Sequence, residues 1–322
     1  MISMENVSKE FTIYKREKGL WNSVKSIVKR DYVTKTAVNN ISFNINKGEM
    51  VGYIGANGAG KSTTIKMLSG VLVPSSGTVN VAGRIPYKDR KNNAKIIGVV
   101  FGQRTQLYWS LPIEETFELY KKIYKIPDKV YQQNVEFYIE LLDLHEFIDV
   151  PVRQLSLGQK MRAELAVSLL HDPQILYLDE PTIGLDVVVK QKIRHFIREI
   201  NKDKQTTVIL TTHDMDDIEQ ICDRIITIDK GNKIFDGSLS NFKEVYGAGH
   251  TIIVEFQETN VQLQDSRLTI YKEENAKKWI KFDEKEISVA EAISSIARNH
   301  NIVDISLKEP SVEDAVQKIY GN

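Results

Sequence analysis

Residues 55–63, Gly-Ala-Asn-Gly-Ala-Gly-Lys-Ser-Thr, constrain this chain more than any other stretch. Three glycines within six residues disfavour both helix and strand interiors, so the segment is a turn, and its flanks say what it joins. Glu49-Met50-Val51-Gly52-Tyr53-Ile54 reads as a buried apolar strand, and Ser62-Thr63-Thr64-Ile65-Lys66-Met67-Leu68 as a helix. Strand, glycine turn and helix in that order make a phosphate-binding loop and predict an α/β domain. Gly55, Gly58 and Gly60 let the backbone run close to a ligand, so that successive N–H groups of the loop, Ala56, Asn57 and Ala59 included, form an anion-binding concavity. The helix N-terminus adds partial positive charge. Lys61 is then expected to reach the β- and γ-phosphates of ATP or GTP. The Ser62 hydroxyl, with Thr63 beside it, is expected to give a ligand to Mg²⁺.

Composition narrows the setting. At 322 residues the chain is long enough for one large and one small domain. Lys+Arg and Asp+Glu both number 43, which leaves no basic field for nucleic acid. No apolar run approaches the roughly 20 residues that span a bilayer, and the N-terminal residues lack the layout of a signal peptide. The expectation is therefore a cytosolic protein whose membrane contact, if any, is local. Cys222 is the one cysteine, so an internal disulfide and a cysteine-based zinc site are excluded, and it reads as a packed apolar residue.

A second site lies at Ile175-Leu176-Tyr177-Leu178-Asp179-Glu180-Pro181, an apolar strand that ends in two acids and is stopped by proline. In doubly wound α/β domains ligands gather at the carboxyl ends of strands. Asp179 is placed there to hold Mg²⁺, directly or through water, and Glu180 to orient or deprotonate an attacking water. Between the two sites, Leu155-Ser156-Leu157-Gly158-Gln159 leads into a helical run, Met161–Leu170. Ser156 offers a hydroxyl and Gly158 close backbone approach at a second helix N-terminus.

With these motifs the chain resembles the ATP-binding-cassette (ABC) ATPases. Gly55–Thr63 is similar to their Walker A, Ile175–Glu180 to Walker B with its catalytic glutamate, and Ser156–Gln159 to their signature. Gln103 in Val100-Phe101-Gly102-Gln103 looks like the Q-loop glutamine, Gly184-Leu185-Asp186 like the D-loop, and His213 in Leu210-Thr211-Thr212-His213-Asp214 like the switch histidine. The likeness covers roughly residues 1–240. It implies a P-loop ATPase core with a β-subdomain and a helical subdomain, ATP and Mg²⁺ as ligands, and a head-to-tail dimer of cassettes. In such a dimer Ser156, Gly158 and Gln159, with Asp186 of the D-loop, serve the nucleotide held by the other subunit. The resemblance further gives Gln103 a contact to Mg²⁺ or the attacking water, and His213 a hydrogen bond to a γ-phosphate oxygen. Leu157 departs from the commoner glycine, which leaves its N–H available but adds a side chain. Phe11 falls where the family supplies an aromatic for adenine stacking, with Tyr14 and Tyr32 as rivals.

Beyond the core, residues 15–35 form an insertion with seven Lys/Arg and two acids, in which Leu20, Val24, Ile27 and Val28 recur at helical spacing. Either a basic amphipathic helix at an anionic membrane surface or a solvated insertion fits. Residues 104–172 are expected to be the helical subdomain, with helices at Ile113–Ile126 and Val130–Leu144 behind Pro112 and Pro127. Trp109, just after the Q-loop, suits either a permease docking site or the core. From residue 241 to 322 the pattern becomes βββαβα, a small α+β domain, with helices starting at the capping residues Ser288 and Ser311. It resembles the accessory domain of ABC-2-type exporter ATPases. The chain thus reads as the ATPase subunit of such an exporter, paired with a second ATPase subunit and a separate permease at the cytoplasmic face of the membrane. The rival readings are the ATPase of a polysaccharide or glycolipid exporter, and a soluble, non-transport ABC ATPase.

Overall fold

The computed structural model describes residues 1–14, 32–102, 104–247 and 249–321. Gln103 and most of the basic insertion, residues 15–31, lie outside the described residues. The chain divides into two compact units, Met1–Gly237 and Ser238–Asn322.

The first unit runs β1 (Ile2–Tyr14), β2 (Tyr32–Ile45), β3 (Met50–Gly55), α1 (Lys61–Leu68), β4 (Ser76–Val81), α2 (Arg90–Ala94), β5 (Ile97–Phe101), α3 (Ile113–Tyr124), α4 (Asp128–Leu142), α5 (Leu157–Leu169), β6 (Ile175–Asp179), α6 (Val187–Lys204), β7 (Thr207–Thr211), α7 (Met215–Ile221), β8 (Arg224–Asp229) and β9 (Asn232–Ser238). Strands whose every residue is apolar must be covered on both faces, which is the condition of a parallel sheet under helices. The six-stranded sheet has the order β5-β6-β7-β3-β8-β9, with β5, β6, β7, β3 and β8 paired in parallel, and Leu176, Tyr177, Leu178, Val208, Leu210, Ile225 and Ile226 in it are fully buried. β6 and β7 pair in parallel, as do β7 and β3, so the carboxyl ends of these three strands lie side by side. The glycine loop leaves β3 there, Asp179 ends β6, and His213 follows β7.

An antiparallel sheet, β2-β1-β4, forms the second layer. The β1–β2 ladder continues through Ile13↔Val33 to Tyr14↔Tyr32. The insertion expected to reach residue 35 therefore ends before Tyr32, because Tyr32-Val33-Thr34 are strand formers that extend the hairpin.

α3 to α5 form the helical part. Pro112 and Pro127 stand at the N-caps of α3 and α4, and Lys125 and Asp143 close them in the left-handed conformation. The apolar face of α3, with Ile113 and Phe117, is buried. In α5 every residue from Ala163 to Leu169 is buried, so that helix is enclosed on all sides.

The second unit contains α8 (Leu239–Tyr246), β10 (His250–Phe256), β11 (Thr269–Glu274), β12 (Lys277–Phe282), α9 (Val289–Asn299), β13 (Ile302–Lys308) and α10 (Val312–Tyr320). Its antiparallel sheet has the order β11-β12-β10-β13. Ile252, Val254 and Phe256 alternate inward along β10 and meet Ile280, Phe282 and, from α9, Ala292 and Ile296. Ser288 caps α9 through Glu291 N–H at 3.3 Å, and Ser311 forms a reciprocal capping box with Asp314.

Candidate active site

Gly58 and Gly60 take φ of +81° and +111°, in the region that suits glycine. Gly60 has a second reason: a Cβ there would stand 2.4 Å from the Ala37 carbonyl oxygen. Gly60 is the N-cap of α1 and no side chain caps that helix, which leaves its first N–H groups for an anion. From behind, Gly231 at the β8–β9 turn donates its N–H to Ala59 O at 3.0 Å and supports the loop. Lys61 Nζ donates to Gly55 O at 2.6 Å, so the ammonium is folded over its own loop, where phosphate oxygens compete for the same protons. Burial lowers the Lys61 pKa, against the opposing charges of Glu180 and Asp179.

Across the loop, Asp179 Oδ1 accepts a 2.5 Å hydrogen bond from Thr211 Oγ1, so β7 fixes the carboxylate that ends β6. The next residue, Glu180, has φ of +59°, a left-handed conformation that costs a non-glycine residue on the order of 1 kcal/mol. Its N–H donates to Thr211 O at 2.9 Å, and Gly102 passes so close that a Cβ would stand 2.3 Å from Glu180 O. Glu180 is thus turned away from the direction of Asp179 and pinned by both neighbouring strands. Its Oε2 accepts the His213 N–H at 3.2 Å, while Oε1 lies 3.1 Å from His213 Nε2 without a well-formed hydrogen bond. Burial pushes the Glu180 pKa up, while His213 and Lys61 hold it down.

These groups line one cavity of about 750 Å³. The loop residues Ala56, Asn57, Gly58, Gly60, Lys61, Ser62 and Thr63 meet Asp179, Glu180 and His213 there, and Phe11 forms part of its wall. Phe11 is on the exposed side of β1 rather than in the core, with Lys9 Nζ 5.2 Å above its ring. Sequence reasoning missed three cations on the wall, Lys35, Lys66 and Arg104. The basic character of 15–35 and the position of Arg104 beside Gln103 were the available signals. Lys35, Lys61, Lys66 and Arg104 against Asp179 and Glu180 suit a polyanion.

The site's oxygen donors fit Mg²⁺. Ser62 and Asp179 line the same cavity, and Asp179 Oδ2 has no hydrogen bond among the described residues. No group of three or more His, Cys, Asp or Glu among the described residues could hold a metal alone, so two protein oxygens plus phosphate and water are the matching arrangement.

Ser156, Gly158, Gln159 and Asp186 lie outside this cavity's lining. Ser156 caps α5, its Oγ accepting Gln159 N–H at 3.2 Å while Gln159 Oε1 accepts the Ser156 N–H at 2.8 Å. Asp186 caps α6 through Val189 N–H at 2.9 Å. The two turns touch: a Cβ on Gly158 would meet Val189 at 3.2 Å, and one on Gly184 would meet Leu157 at 3.2 Å. Around them Leu157, Val187 and Val188 are half or more exposed. Trp109 is 58% exposed, which removes the core reading for it, and Lys160 Nζ lies 4.9 Å over its ring.

A glycine loop opening an uncapped helix at the carboxyl edge of a parallel sheet, faced by paired acids, defines a P-loop ATPase. The sequence profile of the family described as "ABC transporter" matches residues 38–183. The ABC transporter ATP-binding protein NatA of Bacillus subtilis (strain 168) is 32% identical over 65% of this chain and 84% of its own length. The Nod factor export ATP-binding protein I of Neorhizobium galegae is 37% identical over 67% of this chain and 62% of its own. Among solved structures, the dimeric post-hydrolysis state of an ATP-binding cassette bound to ADP and Pi matches with a TM-score of 0.61 and 26% identity, covering 74% of this chain and 99% of that one. The chain belongs to the ABC transporter ATP-binding proteins: it is a nucleotide-binding ATPase subunit of an ABC transporter.

Proposed function

We propose that the chain drives an ABC-2-type exporter by ATP-dependent closure of two cassettes on a separate permease. The observation that carries this reading is the division of the motif residues into two places. Lys61, Ser62, Asp179, Glu180 and His213 share the cavity, whereas Ser156, Gly158, Gln159 and Asp186 sit on a separate surface ringed by exposed apolar side chains. A second ATPase subunit, identical or not, gives that surface an occupant: its bound ATP, reached by the α5 N-terminus. The export relative supports the direction of transport.

In this scheme the loop N–H groups and Lys61 bind the triphosphate, and Phe11 stacks on adenine. Ser62 and Asp179 would hold Mg²⁺, with Gln103 at the metal or the attacking water, and the ion would supply positive charge against the phosphates. Glu180 takes the proton of the attacking water, and His213 donates to a γ-phosphate oxygen while steadying Glu180. Release of phosphate reopens the pair, and the helical part, α3 to α5, passes that motion to the permease at the cytoplasmic face. No helix among the described residues is long and apolar enough to cross a membrane.

Glu180→Gln tests the scheme. The variant is expected to bind ATP normally, lose turnover, and accumulate as a dimer in ATP during size-exclusion chromatography. Normal hydrolysis by Glu180→Gln, or a monomer under saturating ATP, refutes it.

A further inference from the structure

A buried ionic cluster behind the cavity has no part in nucleotide contact. Asp217 on α7 is fully buried, and its carboxylate meets three donors from three segments. Thr182 Oγ1, two residues past Glu180, donates to Oδ2. Thr212 Oγ1, directly before His213, donates to the same oxygen at 3.1 Å. Arg194 Nε on α6 donates to Oδ1 at 2.6 Å. Thr182, Thr212 and Arg194 are themselves buried. Arg194 also reaches Asp214 Oδ1 at 3.3 Å, and Asp214 Oδ2 takes Lys190 Nζ at 2.5 Å.

Burying two charges stabilises a fold poorly, since apolar residues of the same volume pack as well or better. What apolar packing lacks is direction. One carboxylate can accept several hydrogen bonds at once, each at a defined angle, and so can join segments that do not follow one another in sequence. Here it joins the stretch that carries Glu180 and leads to Asp186 with the stretch that carries His213. Glu180 holds a left-handed backbone, which persists only where the surroundings over-determine it. Its side chain meets His213 at 3.1–3.2 Å, a spacing that a shift of either loop destroys.

We propose that Asp217 is a positioning residue for catalysis: it sets Glu180 against His213 through the hydroxyls of Thr182 and Thr212, and Arg194 orients it. The inference rests on the catalytic reading of Glu180 given above.

The test uses Thr182→Val, Thr212→Val and the double variant in the full-length chain, with Glu180→Gln as the reference. Valine keeps the shape and leaves the Asp217–Arg194 pair in place; Thr182→Val removes one donor, whereas Thr212→Val also removes the acceptor of the Asp214 N–H at 3.0 Å, so Thr182→Val is the cleaner of the two. Three quantities are read: kcat, the Kd for a fluorescent ATP analogue, and the melting temperature. Each single variant is expected to lower kcat about 10- to 100-fold, the scale for loss of alignment by about 1 Å, with Kd changed less than about twofold. The double variant is expected to fall hardly further than either single one, because both act through one carboxylate. Unchanged kcat in the double variant overturns the proposal, as does a kcat loss matched by equal losses of binding and melting temperature. Additive losses overturn the shared route through Asp217. If Glu180→Gln itself still turns over ATP, the catalytic reading falls and takes this inference with it; if that variant is inactive and the threonine variants are normal, only the inference falls.

Discussion

Glu164 lies 5% exposed on α5, five residues past the signature, and its carboxylate receives donors from the segment that leaves the cavity after β5. Thr105 Oγ1 and Gln106 N–H, the latter at 2.8 Å, both donate to Oε1, and Gln106 Nε2 stands 3.5 Å from Oε2. Glu164→Ala strands the Gln106 N–H and the Thr105 hydroxyl in the interior, at about 1–3 kcal/mol for each. Part of that is offset, because burial already pushes the Glu164 pKa up and its ionised form carries a desolvation cost. The net expectation is a loss of about 2–4 kcal/mol. Glu164→Gln retains an oxygen for the first two donors and gives up only charge-assisted strength, about 1 kcal/mol. At roughly 2–4 °C per kcal/mol for a unit of this size, alanine lowers the melting temperature by about 4–16 °C and glutamine by about 2–4 °C. Urea unfolding followed by Trp109 fluorescence, with Trp21 and Trp279 replaced by phenylalanine, isolates the first unit. Equal destabilisation by both substitutions, or less than about 1 kcal/mol from alanine, refutes the reasoning, since the hydrogen bonds to Thr105 and Gln106 would then carry no weight.

The raised Glu180 pKa fixes the sign of a pH effect: the base form disappears as pH falls, beginning above the usual carboxylate value of 4.5. Single-turnover hydrolysis should therefore fail on the acid side at a higher pH than an ordinary carboxylate implies, and His213→Ala, which removes a charge that opposes the rise, should move that limb upward; a limb that stays put or moves down contradicts the assignment. Gly60→Ala should abolish ATP binding and cost about 2–3 kcal/mol or more, from positive φ and from the Ala37 carbonyl, in equilibrium unfolding. Phe11→Ala should weaken ATP binding by about 1–2 kcal/mol, a stacking contribution read by calorimetry, whereas unchanged affinity moves the adenine contact to another side chain.

Features visible in the sequence were local ones. Gly60 shows as glycine because its φ and its crowding admit little else, and Ser288 and Ser311 show as helix starts because a cap and its partner lie three residues apart. Apolar runs gave β3 and β6 to within a residue. Contacts between distant stretches of the chain were silent. Nothing near Asp217 in sequence announces Thr182, 35 residues away, and Glu164 meets Thr105 across 59. Arg104 reaches the cavity only because β5 ends beside β6. Such groups carry charge or a hydroxyl like many surface residues, and only the fold distinguishes them.

The Ser156 cap has a consequence for which amino acids position 156 can tolerate. Its oxygen serves the helix as an acceptor, yet the hydroxyl proton is not spent in that bond. Aspartate caps a helix as well as serine does, but it has no proton to offer and brings a negative charge. If the α5 N-terminus meets a phosphate as proposed, Ser156→Asp should leave α5 folded and silence the partner's site. On that proposal the permitted alphabet there is set by two clients, the second being a molecule held by another chain.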